Sequence, residues 1–154
     1  MEDGESNKLF YKRSHFVTCL PVDRLYTPSH HWLFEQKGTW QIGLTKFATR
    51  MLGEMVDYGF DIHPGASVRT GQALGWIEGF KAVADLFCVL DGEFVGSNPQ
   101  LGQNPETIDR DCYGAGWLYE AVGKPDSQCL DVQGYKAFLD TTIDKLVEKP
   151  QTTE

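Results

Sequence analysis

Positive charge is scarce in this chain. It has 14 Lys and Arg against 22 Asp and Glu, a formal net charge of −8. That balance argues against nucleic acid as a partner, because phosphate binding needs clustered cations. An acidic surface instead suits docking on basic patches of other proteins, where it chiefly raises the encounter rate. Long apolar runs are also missing. No stretch approaches bilayer-spanning length, and the opening MEDGESNKLFYKR lacks the apolar core of a secretory leader. A cytoplasmic protein with no membrane partner is therefore expected. The four cysteines, Cys19, Cys88, Cys112 and Cys129, form no C-x-x-C pair. No metal site is expected, the thiols should be reduced, and each reads first as a small buried hydrophobe.

The 154 residues, 41% of them apolar, suit one compact domain that needs no covalent staples. Residues 1–8 read as a polar, mobile tail. The segment LFYKRSHFVTCLPVDRLYTPS reads as an extension that packs on the domain and ends in a proline turn. HWLFEQ and WQIGLT read as strands around the turn Lys37-Gly38-Thr39. Thr45 is placed to cap a short helix through KFATRMLG, with Leu44, Ala48 and Leu52 on one face and Gly53 at its end. From Glu54 to Tyr119 the chain breaks into short strands, EMVDYGF, ASVRT, ALGWIEG, AVADLFCVL, GEFVGS and GWLYEAV, separated by glycine and proline. That rhythm predicts a β-sandwich or flattened barrel. Near the C-terminus Tyr135, Phe138, Leu139, Thr142, Ile143 and Leu146 recur at helical spacing, so an amphipathic helix is expected, followed by a polar tail.

One lysine stands in an unusual setting. In GWIEGFKAVADLFCVLDG, Lys81 lies between two strand-like halves, ten residues after Gly71 and eleven before Gly92. Glycine at each outer end permits positive φ or a tight turn, so the segment reads as a hairpin with Lys81 at its tip. The string Glu78-Gly79-Phe80-Lys81-Ala82 resembles the lipoyl attachment motif more than the biotinyl one, which places methionine on both sides of the lysine. An exposed, unmodified loop lysine is the plainer reading of those five residues alone. The wider pattern runs from about Tyr26 to Val122. YTPSHHWL, IGLTKFA, LGEMV, PGASVRTGQALGWIEGFKAVADL, LDGEFVGSNPQL and DCYGAGWL resemble, in order and spacing, the H-protein of the glycine cleavage system.

That resemblance implies a mostly β, H-protein-like flattened β-barrel (a hybrid-motif sandwich) with a short internal helix and a C-terminal helix. It divides the chain into an extension at 1–25, a lipoyl-carrier domain at 26–122 and a helix with tail at 123–154. It further implies a carrier and not an enzyme: lipoate is amide-linked to Lys81, and the dithiolane moves on a flexible arm between partner enzymes. The expected partners are lipoate-attaching enzymes and lipoamide-oxidising or sulfur-transferring enzymes that dock on the acidic surface, with the carrier itself a monomer.

Several residues depart from the family pattern. S-H-E-W is usual where this chain has Ser29-His30-His31-Trp32, and imidazole at His31 supplies no negative charge for a cationic amine cargo. Met51 stands where a cleft histidine is usual. Phe80, Cys88 and Cys112 are further differences. These departures favour the divergent lipoate-binding proteins of heterodisulfide-reductase-like sulfur oxidation, with sulfur-bound intermediates on the arm. Ordinary glycine cleavage, with an aminomethyl cargo, is the second reading; an unlipoylated adaptor of the same fold is a third. Ser29, His30, His31, Met51 and Cys88 are the candidate cleft residues. Cys88 reads either as a thiol that exchanges with the arm or as a buried packing residue, and the histidines equally as strand packing.

Overall fold

The structure, a computed structural model, describes residues 7–148. The tails expected at the two ends lie outside these residues, except that Lys8 already opens a strand. Along the chain the strands are β1 (Lys8–Arg13), β2 (Phe16–Pro21), β3 (Leu25–Tyr26), β4 (His31–Gln36) and β5 (Thr39–Leu44), then helix α1 (Lys46–Leu52). Strands β6 (Met55–Phe60), β7 (Ser67–Val68), β8 (Ala73–Gly79), β9 (Val83–Phe87) and β10 (Leu90–Ser97) follow. Helix α2 (Thr107–Arg110), strand β11 (Tyr119–Pro125) and helix α3 (Val132–Glu148) complete the described chain.

The strands form a six-stranded sheet in the order β3-β4-β5-β11-β10-β7, a three-stranded sheet β6-β8-β9, and a separate hairpin β1-β2. The mostly β architecture, the internal helix α1 and the C-terminal helix α3 are thus as expected, but the barrel is not. The larger sheet ends in β3 and β7, each two residues long, which is too short to carry a hydrogen-bond ladder round into the smaller sheet. The sheets remain open and share a filling of apolar side chains.

That filling is divided in two by the alternation of side chains along β4. Leu33 joins Ile42, Leu74, Ile77 and Leu86 in the core containing residues of both larger sheets. Its neighbour Trp32 points the other way, into a second core with Tyr11, Phe16 and Leu20 of the hairpin and Tyr135, Leu139 and Ile143 of α3. The helical spacing expected of α3 therefore holds: Tyr135, Leu139 and Ile143 are buried, Phe138 and Thr142 half-buried, and Leu146 lies at the exposed end. The extension does pack on the rest of the chain, as a hairpin that its sequence had not indicated. Tyr11 donates a 2.8 Å hydrogen bond to Asp140, and Arg13 pairs with Asp144, tying β1 to α3.

The turn at Lys37 and Gly38 has positive φ at both residues (53° and 84°), the geometry that suits a two-residue hairpin loop. Helix α1 starts and stops as expected. The Thr45 hydroxyl accepts from the Ala48 amide, and Gly53 ends the helix at φ 84°. The short helix α2 was not anticipated.

Candidate functional site

Strands β8 and β9 pair antiparallel, and the chain turns between them at Phe80, Lys81 and Ala82. The Gly79 amide donates to the Ala82 carbonyl at 2.9 Å and closes the turn. Lys81 is exposed at the tip, as the glycine spacing implied. The framing glycines act differently from each other, however. Gly71 has φ 90° and turns the chain, whereas Gly92 lies within β10, where a Cβ would meet the Val122 carbonyl oxygen at 1.9 Å. Close strand approach, not a turn, requires glycine there.

The tip is held from outside the hairpin. The Lys81 amide donates to the Leu52 carbonyl at 2.8 Å, and the Phe80 amide to the Glu54 carbonyl at 2.9 Å. Leu52 is the last residue of α1, and Glu54 lies in the link from α1 to β6. A Cβ on Gly53 would lie 2.9 Å from the Lys81 Cγ, so the absence of a side chain at 53 leaves the channel along which the lysine stem runs. Around it is a depression of about 350 Å³ lined by Lys46, Thr49, Arg50, Gly53, Glu54, Lys81 and Asp109. Among the described residues the Lys81 ammonium has no ion pair or side-chain hydrogen bond.

Of the motif neighbours, Glu78 is half-buried on β8 between Asp57 and Val83, and Gly79 is buried. Phe80 is 80% exposed, a bare aromatic beside the lysine, and Ala82 is exposed too. The other candidates do not gather here. Met51, 46% exposed, lines a separate groove with Phe16, Phe47 and Leu146. Ser29 and Cys88 line a third depression with Gly71, at the end of the β8-β9 hairpin opposite the tip. Cys88 is buried, its thiol donates to the Leu90 carbonyl at 3.0 Å, and burial pushes its pKa up. A thiol so held is a poor exchange partner, and the packing alternative describes it.

His31 is buried at 1% exposure, with Nδ1 2.9 Å from the Ser29 hydroxyl and a buried Nε2 that has no partner among the described residues. His30, at φ 67°, shares a 2.8 Å hydrogen bond with the Tyr135 hydroxyl, which also bonds Thr45 at 2.8 Å and so joins the turn before β4 and the cap of α1 to α3. Burial lowers both imidazoles from 6.5 to about 4, His31 being further lowered by His30. The unfolded chain binds protons from pH 6.5 downward, while the folded chain resists them until about pH 4. Stability that is complete above pH 6.5 is thus lost as the pH falls toward 4. Unfolding free energies from urea titrations at pH 7 and pH 4.5 should differ by on the order of 2 kcal/mol per histidine. His31→Gln should remove about half of that pH dependence, and an unchanged slope would refute the assignment.

Sequence reasoning did not find Leu52, Gly53 and Glu54 as the seat of the tip. Gly53 was visible only as a helix end, because nothing local signals a contact across 28 residues.

The family described as "Glycine cleavage H-protein" matches residues 24–140. The glycine cleavage system H protein of Beutenbergia cavernae is 36% identical over 120 residues, covering 77% of this chain and 95% of that one. That of Bordetella pertussis is 36% identical over 121 residues, covering 77% and 96%. A crystal structure of a glycine cleavage system H protein from Mycobacterium marinum superposes with a TM-score of 0.71 at 31% identity, covering 77% of this chain and 97% of that one. These matches overturn the sulfur-oxidation reading. The structure supplies a physical reason: His31, Met51, Cys88 and Cys112 all lie outside the Lys81 depression. Differences there are weak evidence about a cargo.

Proposed function

The chain belongs to the glycine cleavage H-protein family, and on that premise we propose that Lys81 bears an amide-linked lipoyl group, which makes the protein a carrier acted on by partner enzymes. The observation that carries this reading is the pinned tip. Two backbone hydrogen bonds to Leu52 and Glu54 hold the turn in place, while the lysine stem passes Gly53 and its amine stays accessible. These residues fit the group: an attaching enzyme meets an exposed amine on a fixed support, and no carboxylate among the described residues pairs with it. When bound, lipoate supplies a dithiolane whose opened thiols carry the aminomethyl cargo of glycine cleavage.

The protein's own residues do the positioning. Amidation removes the Lys81 charge, so the extended side chain can lie on apolar surface. Exposed Phe80 and Val83 flank the lysine and offer apolar contacts to an enzyme that closes over the tip. The acidic surface steers docking toward basic patches on the lipoate-attaching and lipoamide-oxidising enzymes.

Lipoylated protein mixed with a glycine decarboxylase and glycine tests the cargo. Mass spectrometry should show one aminomethyl group per chain, absent when glycine is omitted. No loading, with a known H-protein loading in parallel, would refute the glycine-cleavage reading.

A further inference from the structure

The hairpin β1-β2 lies outside the family match, which begins at residue 24. Its inner residues Tyr11, Phe16 and Leu20 share a core with α3, so alternation turns Phe10, Lys12, Val17 and Cys19 outward. Phe10 stands opposite Cys19 and Lys12 opposite Val17, with exposed Lys8 at the start of the strand. Phe10 is 63% exposed, and neither lysine pairs with a carboxylate among the described residues. Lysines on a free strand guard it against stray pairing. An aromatic ring set between them does the opposite, since it offers apolar surface to whatever the lysines attract.

The charge of this face is opposite to that of the body. Residues 7–24 hold Lys8, Lys12, Arg13 and Arg24 against Asp23 alone, whereas residues 25–148 hold 17 carboxylates against nine Lys and Arg. The outer side of the sheet β6-β8-β9 gathers three of those carboxylates. Ile77 and Leu86 point into the core, so their neighbours Glu78 and Asp85 point out. Asp57 stands opposite Glu78, and Glu78 opposite Val83, which is 67% exposed. None of the three carboxylates forms an ion pair among the described residues.

We infer that a second copy of this chain docks here, the basic hairpin face of one copy lying on the acidic β6-β8-β9 face of another. This departs from the monomer expected of the carrier, and it does not depend on lipoylation of Lys81. Lys8 and Lys12 meet carboxylates that repel one another in the single chain, while Phe10 and Val83 leave water together. The acidic face runs up to the Lys81 tip, because Glu78 and Val83 stand on either side of the turn. A docked copy and a partner enzyme therefore compete for one approach.

Alkylation of Cys19 reads this contact directly, because its thiol is exposed on the hairpin face whereas Cys88 and Cys112 are buried. With peptide mapping to assign the label, Cys19 should react about fivefold more slowly when the chain is concentrated about a hundredfold at low ionic strength, and about 0.5 M salt should restore the rate. Sedimentation of the same samples should show a mass above that of one chain. Lys8→Glu with Lys12→Glu should abolish both effects, and so should Asp57→Lys with Asp85→Lys. The two double variants mixed in equal amounts should associate again, because the acidic hairpin of one meets the basic sheet face of the other. A labelling rate that is the same at every concentration would overturn the proposal: a fast one means an open face, a slow one a face covered within its own chain. Association that survives the charge reversals, or a mixture that stays monomeric, would overturn it equally.

Discussion

Lys81→Arg should abolish lipoylation completely. Incubated with a lipoate-attaching enzyme, the native chain is expected to gain a single lipoyl group, and the variant none. Arginine keeps the positive charge and much of the stem, but its guanidinium is not a nucleophilic amine at neutral pH. The variant should also fold normally. Residue 81 is exposed, and the hydrogen bond it makes to Leu52 comes from the backbone amide, which arginine retains. Its urea midpoint should therefore correspond to a change within about 0.5 kcal/mol of the native protein. Intact mass and peptide mapping measure the first outcome, and equilibrium unfolding the second. Lipoyl mass retained on the variant would move the site to another lysine.

The second large effect is expected two residues earlier, at Gly79→Ala. A Cβ there would lie 2.2 Å from the Leu52 carbonyl oxygen and 3.0 Å from that of Gly53. Both are backbone atoms, so no side chain can swing aside. Relief requires the tip to separate from the link between α1 and β6. That movement breaks the bonds from the Lys81 amide to Leu52 and from the Phe80 amide to Glu54. Loss of two backbone hydrogen bonds with attendant strain corresponds to about 2–4 kcal/mol. Lipoylation should slow as well, because the amine is no longer presented from a fixed support. Gly96→Ala is the control, since nothing lies within 4 Å of a Cβ there. Equal stability of the two variants would show that the close approach at Gly79 is not constraining.

Much of the local structure was legible along the chain. Thr45 and Gly53 bounded α1 because capping is a short-range interaction. Tyr135, Leu139 and Ile143 announced the buried face of α3 through their spacing, and Lys81 stood out between two strand-like halves. The hairpin β1-β2 escaped notice because its turn at Ser14 and His15 lacks glycine or Asn-Gly, and only the packing of Tyr11 and Phe16 against α3 identifies its inner face. The proposed cleft was harder still. Ser29, His31, Met51 and Cys88 are chemically suggestive side chains, but their directions depend on burial and strand pairing across the whole molecule. Reading them as one cleft led to the wrong pathway.

By itself the sequence determined the strand-rich plan, the capped internal helix, the C-terminal helix and the lysine at the tip. These follow from alternation, capping and turn preferences, which act over a few residues. Tertiary structure alone decided that the sheets stay open and that Cys88 and His31 are buried away from the tip. It also placed Lys81 on a seat made by Leu52, Gly53 and Glu54. Those features depend on contacts between residues far apart in the chain, where one backbone approaching another sets the available space, and no local preference encodes that distance.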